Sequence, residues 1–305
     1  MRCVLLKDIA SPVARTRLDG KNPMNTPAGH TEGTIRGHGG VRIFEQTWIP
    51  AGDPRGIVTL VHGIGEHSGR YGYLVQRLTD AGFAVCALDN RGHGHSGGIH
   101  GHVDTWTDYR EDLHVFMRYV SAKFPNLPLF LYGHSLGALI VTDYVLFYPD
   151  GIDGLIVSGH PFRPTGAVKP VLVFIARLLS RILPEVSLDL GIDDDTLSRD
   201  PDVVRAYRED KLVHRKVTVR WGTEALAAVD RVRERAGEIR MPFLVLHGEA
   251  DKINSAEGSR ELFEKASSTD KKLIIYPGGY HEPHNDLDRE QVASDVIGWL
   301  QAHLT

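Results

Sequence analysis

Three observations predict an α/β fold for this chain, a mainly parallel central sheet flanked by helices with a helical insertion. Short apolar runs bounded by turn residues alternate with stretches of helical spacing, the pattern of a parallel sheet covered on both faces. The alternation stops between about His160 and Gly237 and then resumes, which marks an insertion over the strand ends. A length of 305 residues suits one continuous core carrying such an insertion.

The elements follow in order. Residues 1–39 mix Pro, Gly, Thr and Arg without apolar periodicity and are expected to form a flexible leader. Val41 to Pro50 reads as an early strand stopped by proline, and Gly56 to Gly63 as a buried strand ending in glycine. A helical stretch from Tyr71 to Ala81 leads to the apolar run Phe83 to Asp89. Asp108 to Phe124 has helical spacing, and Pro128 to Gly133 is the next buried strand. An apolar helix from Ser135 to Tyr148 precedes the strand Gly154 to Gly159. Residues 40–159 thus form the first part of the core and 160–237 a helical cap. Residues 238–305 complete the core with Phe243 to Gly248, Lys272 to Pro277 and a closing helix from Asp288 to His303.

Composition narrows the function classes. Hydrophobic residues at 42% and charged residues at 24% indicate a folded globular chain. A formal net charge of -4 supplies no basic footprint for a phosphate backbone, so nucleic acid is excluded as a partner. Two cysteines, Cys3 and Cys86, make no disulfide framework, and Cys86 reads as a small core residue. The opening apolar run is too short for a secretory signal, and no segment reaches the roughly 20 apolar residues of a membrane span. A cytoplasmic protein is expected.

The chemistry concentrates at Gly133-His134-Ser135-Leu136-Gly137. Gly-x-Ser-x-Gly between a buried strand and an apolar helix is the context of a nucleophile elbow, where glycines let neighbouring backbone approach the serine. The plainer alternative is an ordinary turn with Ser135 as helix N-cap. A serine hydroxyl needs a base, and the base a carboxylate to orient it. Asp251 follows the run Val245 to Gly248, and His281 follows Ile275 to Gly279, both on strand-end loops in the order Ser, Asp, His. With sixteen histidines present, His284 is the nearest rival of His281, and Glu249 the rival of Asp251; position after the strand favours Asp251 and His281. Donors for a developing oxyanion are available from the backbone N–H groups of Leu136 and of Ile64 in His62-Gly63-Ile64-Gly65.

These residues carry a resemblance. The run from His62 to Tyr71, the run from Asp89 to Gly97 and the elbow around Ser135 together resemble the monoacylglycerol lipases of the α/β-hydrolase superfamily, from about Gly40 to Leu304. Ser198 to Tyr207 is similar to the cap of bacterial members. The resemblance implies an α/β-hydrolase fold and hydrolysis of monoacylglycerols to fatty acid and glycerol, with no metal or organic cofactor. It implies Ser135, Asp251 and His281 as the triad, with Ile64 and Leu136 as oxyanion donors. It also implies that Glu66 and Arg70 order the polar end of the site near the glycerol, the alternative being a surface ion pair. Leu136 stands where many relatives have methionine, a change that leaves the backbone donor intact.

The cap is read physically. Val168 to Leu183 is apolar on more than one face and carries Lys169, Arg177 and Arg181, so it suits either contact with a lipid surface or packing on the core. Asp189, Asp193, Asp194 and Asp195 lack calcium-loop spacing and read as a solvated loop. His93, His95, His100 and His102 fit the glycine-rich loop after a strand better than a metal site. The expected partner is a lipid ester with transient membrane-surface contact. The nearest alternatives are a lysophospholipase or broad carboxylesterase with the same triad, and, more remotely, a silent hydrolase fold that only binds. Dehalogenase and epoxide hydrolase chemistry would require an aspartate at position 135.

Overall fold

A computed structural model describes residues 29–163, 165 and 170–304. Its centre is an eight-stranded sheet. The strands are β1 (Gly29–Arg36), β2 (Arg42–Ile49), β3 (Gly56–Val61), β4 (Phe83–Leu88), β5 (Leu129–His134), β6 (Gly154–Ser158), β9 (Phe243–Gly248) and β10 (Lys271–Tyr276), in the spatial order β1-β2-β4-β3-β5-β6-β9-β10. β1 and β2 pair antiparallel, as do β2 and β4, and every other pair is parallel. β3, β4, β5, β6 and β9 are buried along their whole length, which explains why they read as continuous apolar runs.

Side chains of successive residues point to opposite faces of a strand, and each face is covered. Ile57, Val61, Leu129 and Leu131 pack toward α2 (Trp106–Lys123), α3 (Leu136–Val145) and α6 (Val219–Arg235). Val58, Leu60, Phe130 and Tyr132 pack toward α1 (Gly72–Asp80) and α8 (Arg289–Ala302). Each fully buried aliphatic or aromatic side chain contributes about 1.5–3 kcal/mol, so these two faces hold the molecule together. α2 starts where Thr105 and Asp108 form a reciprocal capping box. All ten residues of α3 are buried, which accounts for its lack of a polar face.

Two sequence expectations need correction. The sequence predicts a flexible leader over 1–39, yet 29–36 form β1, paired along its full length with β2. β1 is an edge strand with mostly exposed side chains, so its pairing rests on backbone hydrogen bonds and leaves no apolar pattern to read. Residues 1–28 of that leader lie outside the described residues.

The insertion, read as purely helical, holds α4 (Pro170–Ile182) and α5 (Pro201–Glu209) but also a small antiparallel sheet of β7 (Ser187–Asp189) and β8 (Lys216–Thr218). Three-residue strands are too short to show alternation. The insertion is fastened to the loop after β3, where the N–H of His214 donates to the carbonyl of Gly65 at 2.9 Å and His67 Nε2 lies 2.8 Å from Asp210 Oδ2. α7 (Ala256–Lys265) completes the helices. Among the described residues, no helix is long and apolar enough to cross a membrane.

The order of strands places the site. From β3 the chain passes to β4 on one side, then returns to β5 on the other. The loops leaving β3 and β5 therefore diverge, and the crevice between them at the carboxyl ends is where open parallel sheets bind ligands.

Candidate active site

Ser135 leaves β5 with φ 52° and ψ −116°. A left-handed φ at a residue with a Cβ costs about 1–3 kcal/mol and persists only where its surroundings impose it. Here they do. The Ser135 N–H donates to the Ser158 carbonyl at 2.9 Å, and the Ser135 carbonyl accepts from Leu139 at 3.2 Å. The flanking glycines are required by close approach: a Cβ on Gly133 would overlap the Gly137 carbonyl, and one on Gly137 would overlap the Val61 carbonyl. The turn thus presses the first turn of α3 against the end of β3.

Asp251 follows β9 and His281 follows β10, and the fold brings both to Ser135. His281 Nε2 lies 2.9 Å from Ser135 Oγ, and His281 Nδ1 lies 2.7 Å from Asp251 Oδ2. Asp251 Oδ1 accepts from the N–H groups of Ile253 at 2.7 Å and Asn254 at 3.0 Å. Burial alone would raise the Asp251 pKa, but His281 and His247 beside it hold the carboxyl well below its ordinary value. Burial alone would lower the His281 pKa, and the Asp251 carboxylate outweighs it and holds the imidazole above its ordinary value.

The rivals stand elsewhere. His284 is buried and stacked on Tyr71 at 4.5 Å between ring centroids, and burial pushes its pKa down to about 4. Glu249 accepts from the N–H of Gly278 at 3.1 Å, between the loops after β9 and β10.

The loop after β3 reaches the same point. A Cβ built on Gly63 would come within 3.3 Å of Ser135 Cβ. Ile64 follows it, and Leu136 opens α3 directly after Ser135. Gly63, Ile64, Ser135 and His281 line one cavity of about 20 Å³, together with Ile192, Leu197 and Tyr207 of the insertion. That is room for about one water. A wider surface cavity of about 530 Å³ lies beyond Tyr207, lined by His100, Asp210, His214 and Arg215 among others, and includes none of the three hydrogen-bonded residues.

Glu66 and Arg70 line the same cavity, in a setting different from a surface pair. Glu66 Oε1 accepts from the Gly63 N–H at 2.6 Å and from the Tyr71 hydroxyl at 2.7 Å. Arg70 Nη1 donates to Glu66 Oε2. The guanidinium also donates to both oxygens of Glu282, each at 2.8 Å. All three side chains are under a tenth exposed.

Sequence reasoning missed two polar residues here. Glu282 is one, although its adjacency to His281 was a signal. His247 is the other; its Nε2 lies 3.1 Å from Asp251 Oδ2, and nothing in the run Phe243 to Gly248 distinguishes it from a core histidine.

The remaining polar motifs have structural partners. Asp89 accepts from the Ser68 N–H at 2.9 Å and hydroxyl at 2.6 Å, tying together the loops after β3 and β4. His93 contacts the Arg91 carbonyl at 2.9 Å, His95 packs on Phe44, His100 stacks on His214, and His102 lies 2.8 Å from Thr218 Oγ1. Asp194, read as part of a solvated loop, is buried between Arg208 and Arg215. Among the described residues, no group of three or more His, Cys, Asp or Glu side chains is arranged to hold a metal ion.

Known proteins share this plan. A family model described as serine aminopeptidase, S33, matches residues 52–288. The monoacylglycerol lipase of Mycolicibacterium smegmatis is 38% identical over 275 residues, covering 90% of this chain and 98% of that protein. Human monoglyceride lipase is 35% identical over 272 residues, covering 86% and 87% respectively. The crystal structure of the Paleococcus ferrophilus monoacylglycerol lipase superposes with a TM-score of 0.78 at 37% identity, over 86% of this chain and 99% of that one. At these identities over most of both chains, this chain belongs to the monoacylglycerol lipase family of the α/β-hydrolases.

Proposed function

We propose that this chain hydrolyses monoacylglycerols to a free fatty acid and glycerol through an acyl-enzyme on Ser135. The observation that carries the reading is the unbroken buried chain Ser135 Oγ, His281 Nε2, His281 Nδ1, Asp251 Oδ2, with links of 2.9 and 2.7 Å. Ser135 attacks the ester carbonyl as His281 takes its proton, and Asp251 holds the imidazole and stabilises its charged form. The N–H groups of Ile64 and Leu136 receive the oxyanion. The alkoxide leaves with the proton from His281, and a water activated by the same residue releases the acid. Glu66 and Arg70 order the polar wall where the glycerol sits.

Ile192, Leu197 and Tyr207 of the insertion line the cavity beside Ser135, so an ester that reaches Ser135 lies against them. The insertion also carries exposed apolar side chains, Leu178, Ile182, Leu183, Val186 and Leu188, beside exposed Arg177 and Arg181. Such a patch suits peripheral contact with an anionic lipid surface, where the substrate resides.

A panel of monoacylglycerols, diacylglycerols and lysophospholipids tests the substrate, with highest kcat/KM expected on a monoacylglycerol. A clear preference for lysophospholipid overturns that choice in favour of a phospholipase with the same triad. Ser135→Ala is expected to abolish both turnover and fluorophosphonate labelling.

A further inference from the structure

We propose that Glu282 is a positioning residue that, through Arg70 and Glu66, straps the oxyanion loop to the loop bearing His281. The proposal rests on the functional reading above and extends it to a residue outside the triad and the donor pair.

The sheet does not join these two loops directly. Gly63 and Ile64 leave β3, and His281 and Glu282 leave the loop after β10; β5, β6 and β9 lie between. The side chains supply a shorter route. The Gly63 N–H donates to Glu66 Oε1 at 2.6 Å, Glu66 Oε2 accepts from Arg70, and Arg70 forks onto Glu282 at 2.8 Å twice. Glu282 directly follows His281, and its own N–H donates to the Leu197 carbonyl at 2.9 Å. Asn285 Nδ2 donates to Glu282 Oε2 at 2.9 Å, and Arg70 lies 4.6 Å over the ring of Tyr207. Every link is a buried, charge-assisted or backbone hydrogen bond, and the fork fixes direction as well as distance.

Stability alone is a poor reason for this arrangement. Two carboxylates share one guanidinium, leaving a buried excess of negative charge, and desolvating such a group offsets much of its attraction. What the network does provide is geometry. The Ile64 N–H and His281 must face the same tetrahedral carbon, and displacement of either by about 1 Å costs on the order of 100-fold in rate. Glu66 holds the N–H of Gly63, one residue before Ile64, while Arg70 holds the side chain of Glu282, one residue after His281.

The experiment compares Glu282→Gln, Arg70→Lys and the double variant on one soluble short-chain ester, with thermal unfolding confirming that each is folded. Glu282→Gln keeps size and removes the charge; Arg70→Lys keeps charge and removes the fork. Each single variant is expected to lower kcat by about 10- to 100-fold with KM within threefold of wild type. The double variant is expected to be no worse than the weaker single, because either change cuts the same strap. Unchanged kcat in folded Glu282→Gln, an effect confined to KM, or a multiplicative double variant overturns the proposal. If Glu282→Gln does not fold, Arg70→Lys is judged by the same kcat and KM criteria. Ser135→Ala, run in parallel, separates the two levels: full turnover there overturns the triad reading and the strap with it, whereas the outcomes above overturn the strap alone.

Discussion

His247 Nε2 lies 3.1 Å from Asp251 Oδ2, the same oxygen that meets His281 Nδ1 at 2.7 Å. The ring's other contacts settle its tautomer. Nε2 also faces the Asn254 carbonyl at 3.0 Å, which only accepts, so Nε2 carries the hydrogen and Nδ1 accepts from the Ser259 hydroxyl at 2.7 Å. His247 thus fixes the Asp251 oxygen that meets His281. In His247→Phe this donor is lost, and a hydrogen bond to a charged group is worth about 1.5–3 kcal/mol, so kcat is expected to fall about 10- to 100-fold. The melting temperature should fall as well, since the Asn254 carbonyl and Ser259 hydroxyl lose a buried partner. Steady-state kinetics with unchanged kcat would mean that the Ile253 and Asn254 amides suffice to hold Asp251.

The pH dependence has a sign that can be worked out. Burial acts to lower the His281 pKa, Asp251 overcomes it, and the folded value lies above the ordinary 6.5 or so. In the proposed role of base His281 must be neutral, so kcat/KM is expected to rise through an acid limb centred above pH 6.5. The stability that His281 contributes is present in full below its unfolded pKa and is lost as pH rises through the folded value. Asp251 behaves oppositely: its folded pKa is depressed, so its contribution is present above about pH 4 and lost as pH falls toward the folded value. An acid limb centred below 6.5 would contradict this balance of burial and charge. Asp251→Asn is expected to reduce kcat by about 10⁴-fold by favouring the wrong imidazole tautomer.

Two helical glycines, one at the elbow and one in α8, make a paired test of close approach against helix propensity. Gly137 has no room for a methyl group, which would overlap the Val61 carbonyl, so Gly137→Ala is expected to cost about 3 kcal/mol or to prevent folding. Gly298, inside α8, has open space where a Cβ would go, so Gly298→Ala is expected to stabilise by about 0.4–1 kcal/mol. Chemical denaturation of both variants checks the pair. Equal effects would show that helix propensity, and not close approach, governs position 137.

The exposed patch on the insertion predicts surface binding. Replacing Ile182 and Leu183 with Asp removes apolar area and adds charge beside Arg181. Flotation with vesicles containing anionic lipid should show the bound fraction falling several-fold, while fluorophosphonate labelling in solution proceeds at the wild-type rate. Undiminished flotation would place any lipid contact elsewhere on the molecule.

The sequence by itself determined the parts of this protein whose signals are local. Apolar runs announce buried strands because both faces of β3, β4, β5, β6 and β9 are covered, and the glycines around Ser135 announce an elbow because a Cβ would collide there. The order of Ser135, Asp251 and His281 on strand-end loops was legible for the same reason. β1 was not, since an edge strand paired through its backbone needs no apolar pattern, nor were β7 and β8, which are three residues each. Only the tertiary structure decided between His281 and His284, four strands away from the loop of Gly63, and turned Glu66 and Arg70 from a possible surface pair into a buried network with Glu282. Such choices depend on distances between residues far apart along the chain, 146 positions for Ser135 and His281 and 212 for Arg70 and Glu282, and spacing carries no record of them.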